Sequence, residues 1–337
     1  MTDAGNSTRA PFLSITVLNY NYAHFLPACL DSILRQTMTD FELIVINDRS
    51  TDNSLEVIEP YLRDPRVKLV DHVQNKGFVG SLVEGCALSR GQYISVISAD
   101  DLAMDDRAFE YARAVCERNP DVALCFSAWY EVTGEQKIRY ERRAATESYV
   151  REGIDELRRL LISSSVLHSG TWIKRTAYHQ VGGYDRSCRY AVDNNMWLAL
   201  CSAGKVAYID KHLYAYRAHE VNMSNSAPAL WQTTQEMLKG IDYALGLVPD
   251  SSMPDKSVQR RMARKRALVA VPTHDIFAGR YRRGWYGYLQ AATHFPVDTL
   301  VQPRTLTVLL RTLVGKRPFE IIRSLRGERN SLGRSIP

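Results

Sequence analysis

Gln92-Tyr93-Ile94-Ser95-Val96-Ile97-Ser98-Ala99-Asp100-Asp101 is an apolar run that ends abruptly in two adjacent acids. Aromatic and β-branched residues at Tyr93, Ile94, Val96 and Ile97 fit a parallel strand covered on both faces. Its acids then fall at the carboxyl edge, where open α/β sheets bind their ligands. Two neighbouring carboxylates there repel each other and lose hydration, and a divalent cation, Mn2+ or Mg2+, would neutralise them. The competing reading is a solvated Asp-Asp turn that caps the next helix.

Upstream, the pattern repeats. Phe12 to Leu18 reads as a first strand, Asn19-Tyr20-Asn21-Tyr22 as its exit loop, and His24 to Gln36 as a helix with apolar residues at the helical period. Phe41 to Ile46 is a second strand ending in Asn47-Asp48-Arg49-Ser50-Thr51-Asp52, with a helix over Asn53 to Leu62 capped by Ser50 or Asp52. A third strand, Val67 to His72, leads through Asn75-Lys76-Gly77 to a helix from about Val79 to Leu88. Strands alternating with helices at this spacing predict an α/β fold, a doubly wound and mostly parallel sheet with a nucleotide-type ligand at its carboxyl edge.

The 337 residues allow one large α/β domain and a smaller appendage. No apolar run approaches the roughly 20 residues that cross a bilayer. Residues 1–11 are polar, are expected to be disordered, and lack the charged start and apolar core of a secretory signal. Six cysteines without a C-x-x-C pair read as buried, reduced thiols in a cytoplasmic protein. The net charge of +6 conceals an asymmetry: residues 251–337 carry 17 Lys/Arg against 5 Asp/Glu. Such a basic end implies an anionic surface as partner. Nucleic acid is not expected, because no binding module accompanies the charge.

The ordered set Asn47-Asp48-x-Ser50-x-Asp52, Asn75-x-Gly77, Gly85, Gly91 and Ser98-Ala99-Asp100-Asp101 resembles a family 2 glycosyltransferase of the GT-A fold, over roughly residues 12–225. The resemblance implies a GT-A catalytic domain over 12–225, with a nucleotide-sugar half (12–101) and an acceptor half (102–225), followed by a basic helical C-terminal region (226–337). It places Asp48 on the uracil base of a UDP-linked sugar, Asn19 and Tyr20 on base and ribose, and Asp100 on the metal at the pyrophosphate. Asp101 would support that metal, and Lys76 is a candidate for a phosphate, the alternatives being an Asx turn at Asp48, loop packing at Asn19 and Tyr20, and a solvated loop lysine. Two positions depart from the family pattern: Ser98 replaces the first acid of D-x-D, and Arg49 replaces the glycine after the base-binding Asp.

Downstream, Leu102 to Asn119 is helical in pattern, Val122 to Ser127 a strand, Trp129 to Tyr149 a hairpin or mobile flap, and Leu157 to Leu167 an amphipathic helix. The resemblance makes His168, Ser169 and Thr171 acceptor-site candidates, with Asp185, after the Gly182-Gly183 turn, a further acceptor contact; the plain alternative for His168 is a structural histidine. A helix through Met196, Trp197 and Leu200 carries Asp193 in its first turn. The family's E-D pair before a Leu-Trp-Leu helix supplies the catalytic base, so Asp193 takes that role by resemblance, with Val192 in place of the Glu; a bare helix cap is the other reading. Tyr216-Arg217-Ala218-His219 resembles a family stretch whose Arg and His approach the pyrophosphate or its metal, which assigns Arg217 to the diphosphate and His219 to the metal.

These readings converge on an inverting, metal-dependent transferase that builds a bacterial-type surface glycan or glycolipid from a nucleotide sugar, cytoplasmic or peripheral on the inner face of the plasma membrane. Leu306, Leu309, Leu310, Leu313 and Val314 form an apolar stripe among basic residues that could lie on anionic lipid or pack on the domain. Alternatives are a catalytically impaired GT-A-like nucleotide-binding or scaffold protein and, with less support, a sugar nucleotidyltransferase, which would start with a Gly-rich loop that Asn19-Tyr20-Asn21-Tyr22 lacks.

Overall fold

The computed structural model describes residues 9–163, 165–219, 230–277 and 281–296. Among the described residues ten strands form one sheet. Four of them, β1 (Leu13–Asn19), β2 (Phe41–Asn47), β3 (Val67–Asp71) and β4 (Tyr93–Ser98), lie parallel in the order β3-β2-β1-β4. Their register puts Asn19 beside Asn47, Asn47 beside Asp71, and Leu18 beside Ser98, so four loops leave the sheet at one edge. Between them run α1 (Leu26–Leu34), α2 (Ser54–Ile58), a 3-10 turn at Glu59–Arg63, and α3 (Gly77–Leu88). Pro60 explains why the expected Asn53–Leu62 helix tightens after Ile58, since a proline nitrogen cannot donate within a helix.

The central strands are buried on both faces. Ile15, Val17, Val45 and Ile97 pack with Leu26, Leu30 and Ile33 of α1, whereas Ile44, Ile46, Ile94 and Val96 share the opposite core with Leu82 and Cys86 of α3. Each such side chain contributes roughly 1.5–3 kcal/mol. Gly85 brings α3 close to β1: a Cβ there would sit 2.4 Å from the Thr16 methyl carbon.

Beyond β4 the sheet is mixed. β5 (Leu102–Ala103), α4 (Ala108–Arg118), β6 (Val122–Thr133), β7 (Ile138–Arg142), β8 (Tyr149–Arg151), α5 (Gly153–Ile162), β9 (Trp172–Lys174), α6 (Arg175–Gln180), α7 (Val192–Leu200) and β10 (Lys205–Ala218) follow in sequence. Short β9 lies antiparallel between β4 and β6, and β10 runs parallel to β6 and antiparallel to β5 and β8. The expected hairpin after Trp129 is the β6–β7 pair. The amphipathic helix differs from the prediction: it starts at Gly153 and ends at Ile162, where Ser163 turns extended. Gly153 has no alternative, because a Cβ there would meet the Cys201 carbonyl oxygen at 2.0 Å.

Three further helices, α8 (Leu230–Leu247), α9 (Lys256–Phe277) and α10 (Tyr281–His294), follow. Leu238, Ile241 and Leu245 of α8 belong to the same core as Met196 and Trp197 of α7. All six cysteines are buried and free. Of the expected disordered start, residues 1–8 lie outside the described residues, while the Pro11 carbonyl accepts the Gln92 N–H. The apolar stripe from Leu306 to Val314 also lies outside them. Among the described residues no helix is long and apolar enough to cross a membrane.

Candidate active site

At the carboxyl edge the loops after β1 and β2 are tied to each other. Asn19 donates from Nδ2 to Asn47 Oδ1 (3.0 Å) and Ser50 Oγ (3.1 Å), and Ser50 Oγ also accepts the Asn21 N–H. Tyr20 stands exposed at the lip. Asp48 is buried; its Oδ1 accepts the Lys76 N–H (2.7 Å) and lies 2.8 Å from His72 Nδ1, and among the described residues both contacts fall on that one oxygen. Among the described residues Oδ2 takes no hydrogen bond. His72 escaped the sequence reading, although its place directly after β3, beside the Asn47 carbonyl that accepts its N–H, put it within reach of Asp48. The Lys76 ammonium pairs with Glu84, so a phosphate would have to compete for it. Arg49 is exposed and sits at φ +63°, a conformation that favours glycine.

The two acids after β4 separate into different environments. Asp100 faces His219, with Oδ2 3.0 Å from Nε2, and its carbonyl accepts from Arg217 Nε (2.8 Å). Asp101 turns inward: Oδ1 accepts the Arg217 N–H (2.9 Å) and Oδ2 accepts the Ser169 hydroxyl, which itself accepts the Ser98 N–H. Burial pushes both carboxyls above the usual range, opposed at Asp100 by His219 and reinforced at Asp101 by the charge of Asp100. Burial likewise lowers the Arg217 guanidinium, which lies 4.6 Å over the Phe25 ring. Phe25 and Tyr22 also enclose His219, at ring distances of 4.9 and 5.5 Å.

This environment fits a divalent cation at Asp100 and His219: a buried carboxylate next to an imidazole nitrogen, at a strand end. Asp101 fits less well, since both its oxygens are taken by protein donors. Among the described residues no group of three His, Cys, Asp or Glu side chains gathers at metal-binding distance.

On the other side of β4, Asp193 lies in the first turn of α7, where its Oδ1 accepts the Asn194 N–H. His168 lies between Phe78 and Trp197, at ring distances of 5.5 and 6.3 Å. Burial lowers its imidazole below the usual value, while the charge of Asp193 pulls it back up. Both His168 ring nitrogens, the Tyr184 hydroxyl and the Trp197 indole N–H are buried without a hydrogen-bond partner among the described residues. Ser169 belongs to the Asp101 network, and Thr171 donates its hydroxyl to the Leu167 carbonyl. Asp185 is exposed in a turn, where it accepts from the Ser187 N–H and hydroxyl.

One residue in this region was not foreseen. Glu236, buried on α8, accepts from the Tyr190 and Ala191 N–H groups immediately before α7. Asn195 packs on the same helix, with its Nδ2 donating to the Glu236 carbonyl (3.0 Å).

The glycosyl transferase family 2 model matches residues 14–182. The chain is 28% identical over 340 residues to the Bacillus subtilis protein described as uncharacterized glycosyltransferase EpsJ, covering 95% of this chain and 90% of that one. It is also 28% identical over 217 residues to a Pasteurella multocida hyaluronan synthase, of which the match spans only 21%. Among solved structures, S. aureus TarS 1-349 superposes with a TM-score of 0.64 at 13% identity, over 85% of this chain and 80% of that one. The mannosyltransferase PcManGT of Pyrobaculum calidifontis, in complex with GDP-Man and Mn2+, superposes with a TM-score of 0.58 at 15% identity, over 94% and 84%. The mixed sheet and its edge of aligned loops are thus those of a GT-A fold, and the chain belongs to glycosyl transferase family 2.

Proposed function

We propose that this chain transfers a sugar, with inversion, from a UDP-linked nucleotide sugar to a hydroxyl of a glycan or lipid-linked glycan during bacterial-type surface polysaccharide synthesis. The observation that carries this reading is Asp100: a buried carboxylate held against His219 at the sheet edge where Asp48 also follows a strand. Support comes from neighbours of the same fold, TarS in complex with UDP-GlcNAc and PcManGT in complex with GDP-Man and Mn2+.

In this reading Asp48 Oδ2 accepts the N3–H of the base, with Asn19 and Tyr20 framing base and ribose and Lys76 at the phosphates. Asp100 and His219 would hold a Mn2+ or Mg2+ ion, which would supply positive charge to offset that growing on the departing diphosphate. Arg217, which holds the Asp100 carbonyl through Nε and the Asp101 carboxylate through its backbone N–H, is the side chain for the diphosphate. Asp193 takes the proton from the acceptor hydroxyl as it attacks the anomeric carbon from the face opposite the diphosphate. His168, Ser169, Thr171 and Asp185 lie on the acceptor side, and the unpaired polar atoms of His168, Tyr184 and Trp197 are ones that sugar hydroxyls or water would satisfy. The basic C-terminal region sets the enzyme on the anionic inner face of the membrane.

The test is donor hydrolysis and calorimetric binding with a panel of UDP-sugars and Mn2+. Wild type should bind and slowly hydrolyse at least one donor, and Asp100→Ala should remove the Mn2+-dependent part. Base-specific binding with no metal dependence and no turnover on any donor would sink the enzyme reading in favour of a nucleotide-binding scaffold.

A further inference from the structure

A pocket of about 200 Å3 opens between α8 and α9, close to Phe295. Its floor is apolar, made by Leu238, Leu268 and Phe295, and its rim carries Arg260, Arg261 and Arg264. Asp242 of α8 pairs with Arg260 (3.2 Å) and with Arg264. One carboxylate thus pairs with two of the three guanidinium groups, and Arg261, exposed, forms no ion pair among the described residues. Cation excess over an apolar floor is the arrangement that binds an amphiphilic anion, since guanidinium groups match phosphate oxygens in a bidentate way.

The surroundings decide what carries the phosphate. Val258, three residues before Arg261, lies on the same side of α9, and Met262 neighbours Val258 at four residues' spacing; the two are each about half exposed, at 46% and 48%. Helix α10 packs on α9 and exposes Tyr286 and Leu289. Arginine flanked by exposed aliphatic and tyrosine side chains is the composition of an interfacial helix, with charge at headgroup level and apolar side chains below it.

We propose that the Arg260–Arg261–Arg264 pocket is a binding site for the phosphate of an anionic lipid, seated with Val258 and Met262 in the bilayer interface. The proposal rests on the membrane placement given under the proposed function and gives it an address. It also puts the bilayer one helix away from the proposed base, because α8 presents Leu238 to the pocket and Glu236 to the start of α7.

The test uses the full chain with vesicles of phosphatidylcholine alone or mixed with phosphatidylglycerol, read by flotation. Binding should require phosphatidylglycerol. Arg261→Glu should weaken it about tenfold or more, as expected for reversing one interfacial cation, and Met262→Asp should also weaken it. Arg118→Glu, an equal charge change on α4, should cost less than about twofold if the site rather than net charge decides. Equal losses in the two arginine variants would overturn the proposal, as would Arg261→Glu binding like wild type. If binding is lost only on deleting residues 303–337, the membrane reading stands and the pocket falls. An Arg261-dependent calorimetric response to inorganic phosphate, without vesicle binding, would assign the site to free phosphate and overturn the lipid.

Discussion

Glu236 of α8 holds Ala191 by its backbone N–H at 3.0 Å, and Tyr190 likewise at 2.7 Å, one residue before α7 begins and two before Asp193. The orientation of the proposed base is therefore set by a carboxylate some forty residues downstream. Glu236→Ala leaves both N–H groups without that acceptor and should cost about 2–4 kcal/mol. Acceptor glycosylation should fall sharply while nucleotide affinity stays, since Asp48 and Asp100 lie on other elements. Glu236→Gln should recover part of both losses. Burial raises this carboxyl, but the N–H groups of Tyr190, Arg189 and Ala191 and the Cys188 thiol outweigh it and hold it below the usual range. Its contribution to stability is thus present above the ordinary carboxylate pKa and lost as pH falls through the lower folded value. Melting curves of wild type and Glu236→Ala should converge in acid; a gap that widens there would refute the assignment.

Asp100 and Asp101 should respond to substitution in opposite senses. The raised Asp100 carboxyl means that its charge destabilises the metal-free fold at neutral pH and ceases to do so once protonated in acid. Asp100→Asn should therefore melt at or above wild type at pH 7, converge with it in acid, and lose any stabilisation by Mn2+. Asp101→Ala removes the acceptor of the Ser169 hydroxyl and the Arg217 N–H and should be less stable at both pH values. Thermal melts with and without Mn2+ decide, and a Mn2+ shift that survives Asp100→Asn would remove Asp100 from the metal.

His168 offers a direct report on Asp193. Burial depresses the imidazole and the Asp193 charge partly restores it, so Asp193→Asn should move the His168 titration to still lower pH. Two-dimensional NMR of the imidazole nitrogens can follow this without any substrate. A His168 titration unmoved by Asp193→Asn would place the two side chains too far apart to act on one acceptor.

Arg49 pays for its position. A non-glycine residue in the left-handed region costs about 1–2 kcal/mol, whereas glycine loses about 0.5–1 kcal/mol in chain entropy. Arg49→Gly should therefore stabilise the protein by roughly 0.5–1 kcal/mol, visible as a higher denaturant midpoint with an unchanged slope. A loss of stability would mean that the guanidinium makes contacts worth more than the strain.

The nucleotide half was legible because each strand there is short, apolar and bounded by polar loops. β1 to β4 fall within a residue or so of where the alternation puts them, and Asp48 and Asp100 lie at the predicted edge. The acceptor half was less legible for physical reasons. The apolar pattern of β10 is interrupted by Asp210, Lys211 and His212, where the register with β6 also shifts, so its full length leaves no continuous strand signal. Antiparallel β9, only three residues long, carries too little periodicity to be placed between β4 and β6. Pairings such as Asp101 with Ser169, or Glu236 with Ala191, join residues tens of positions apart, and nothing local marks them.

The grip of α8 on the start of α7 changes where this chain can be cut or recombined. A break at residue 225, drawn between the GT-A domain and its basic extension, would strip Leu238, Ile241 and Leu245 from a core they share with Trp197, and would take Glu236 with them. Chimeras that pair the first 225 residues of one relative with the tail of another would inherit a mismatched seat for the proposed base. Grafts that keep residues 190–247 together from one parent should retain stability and turnover, making that block, rather than the sheet alone, the transplantable unit.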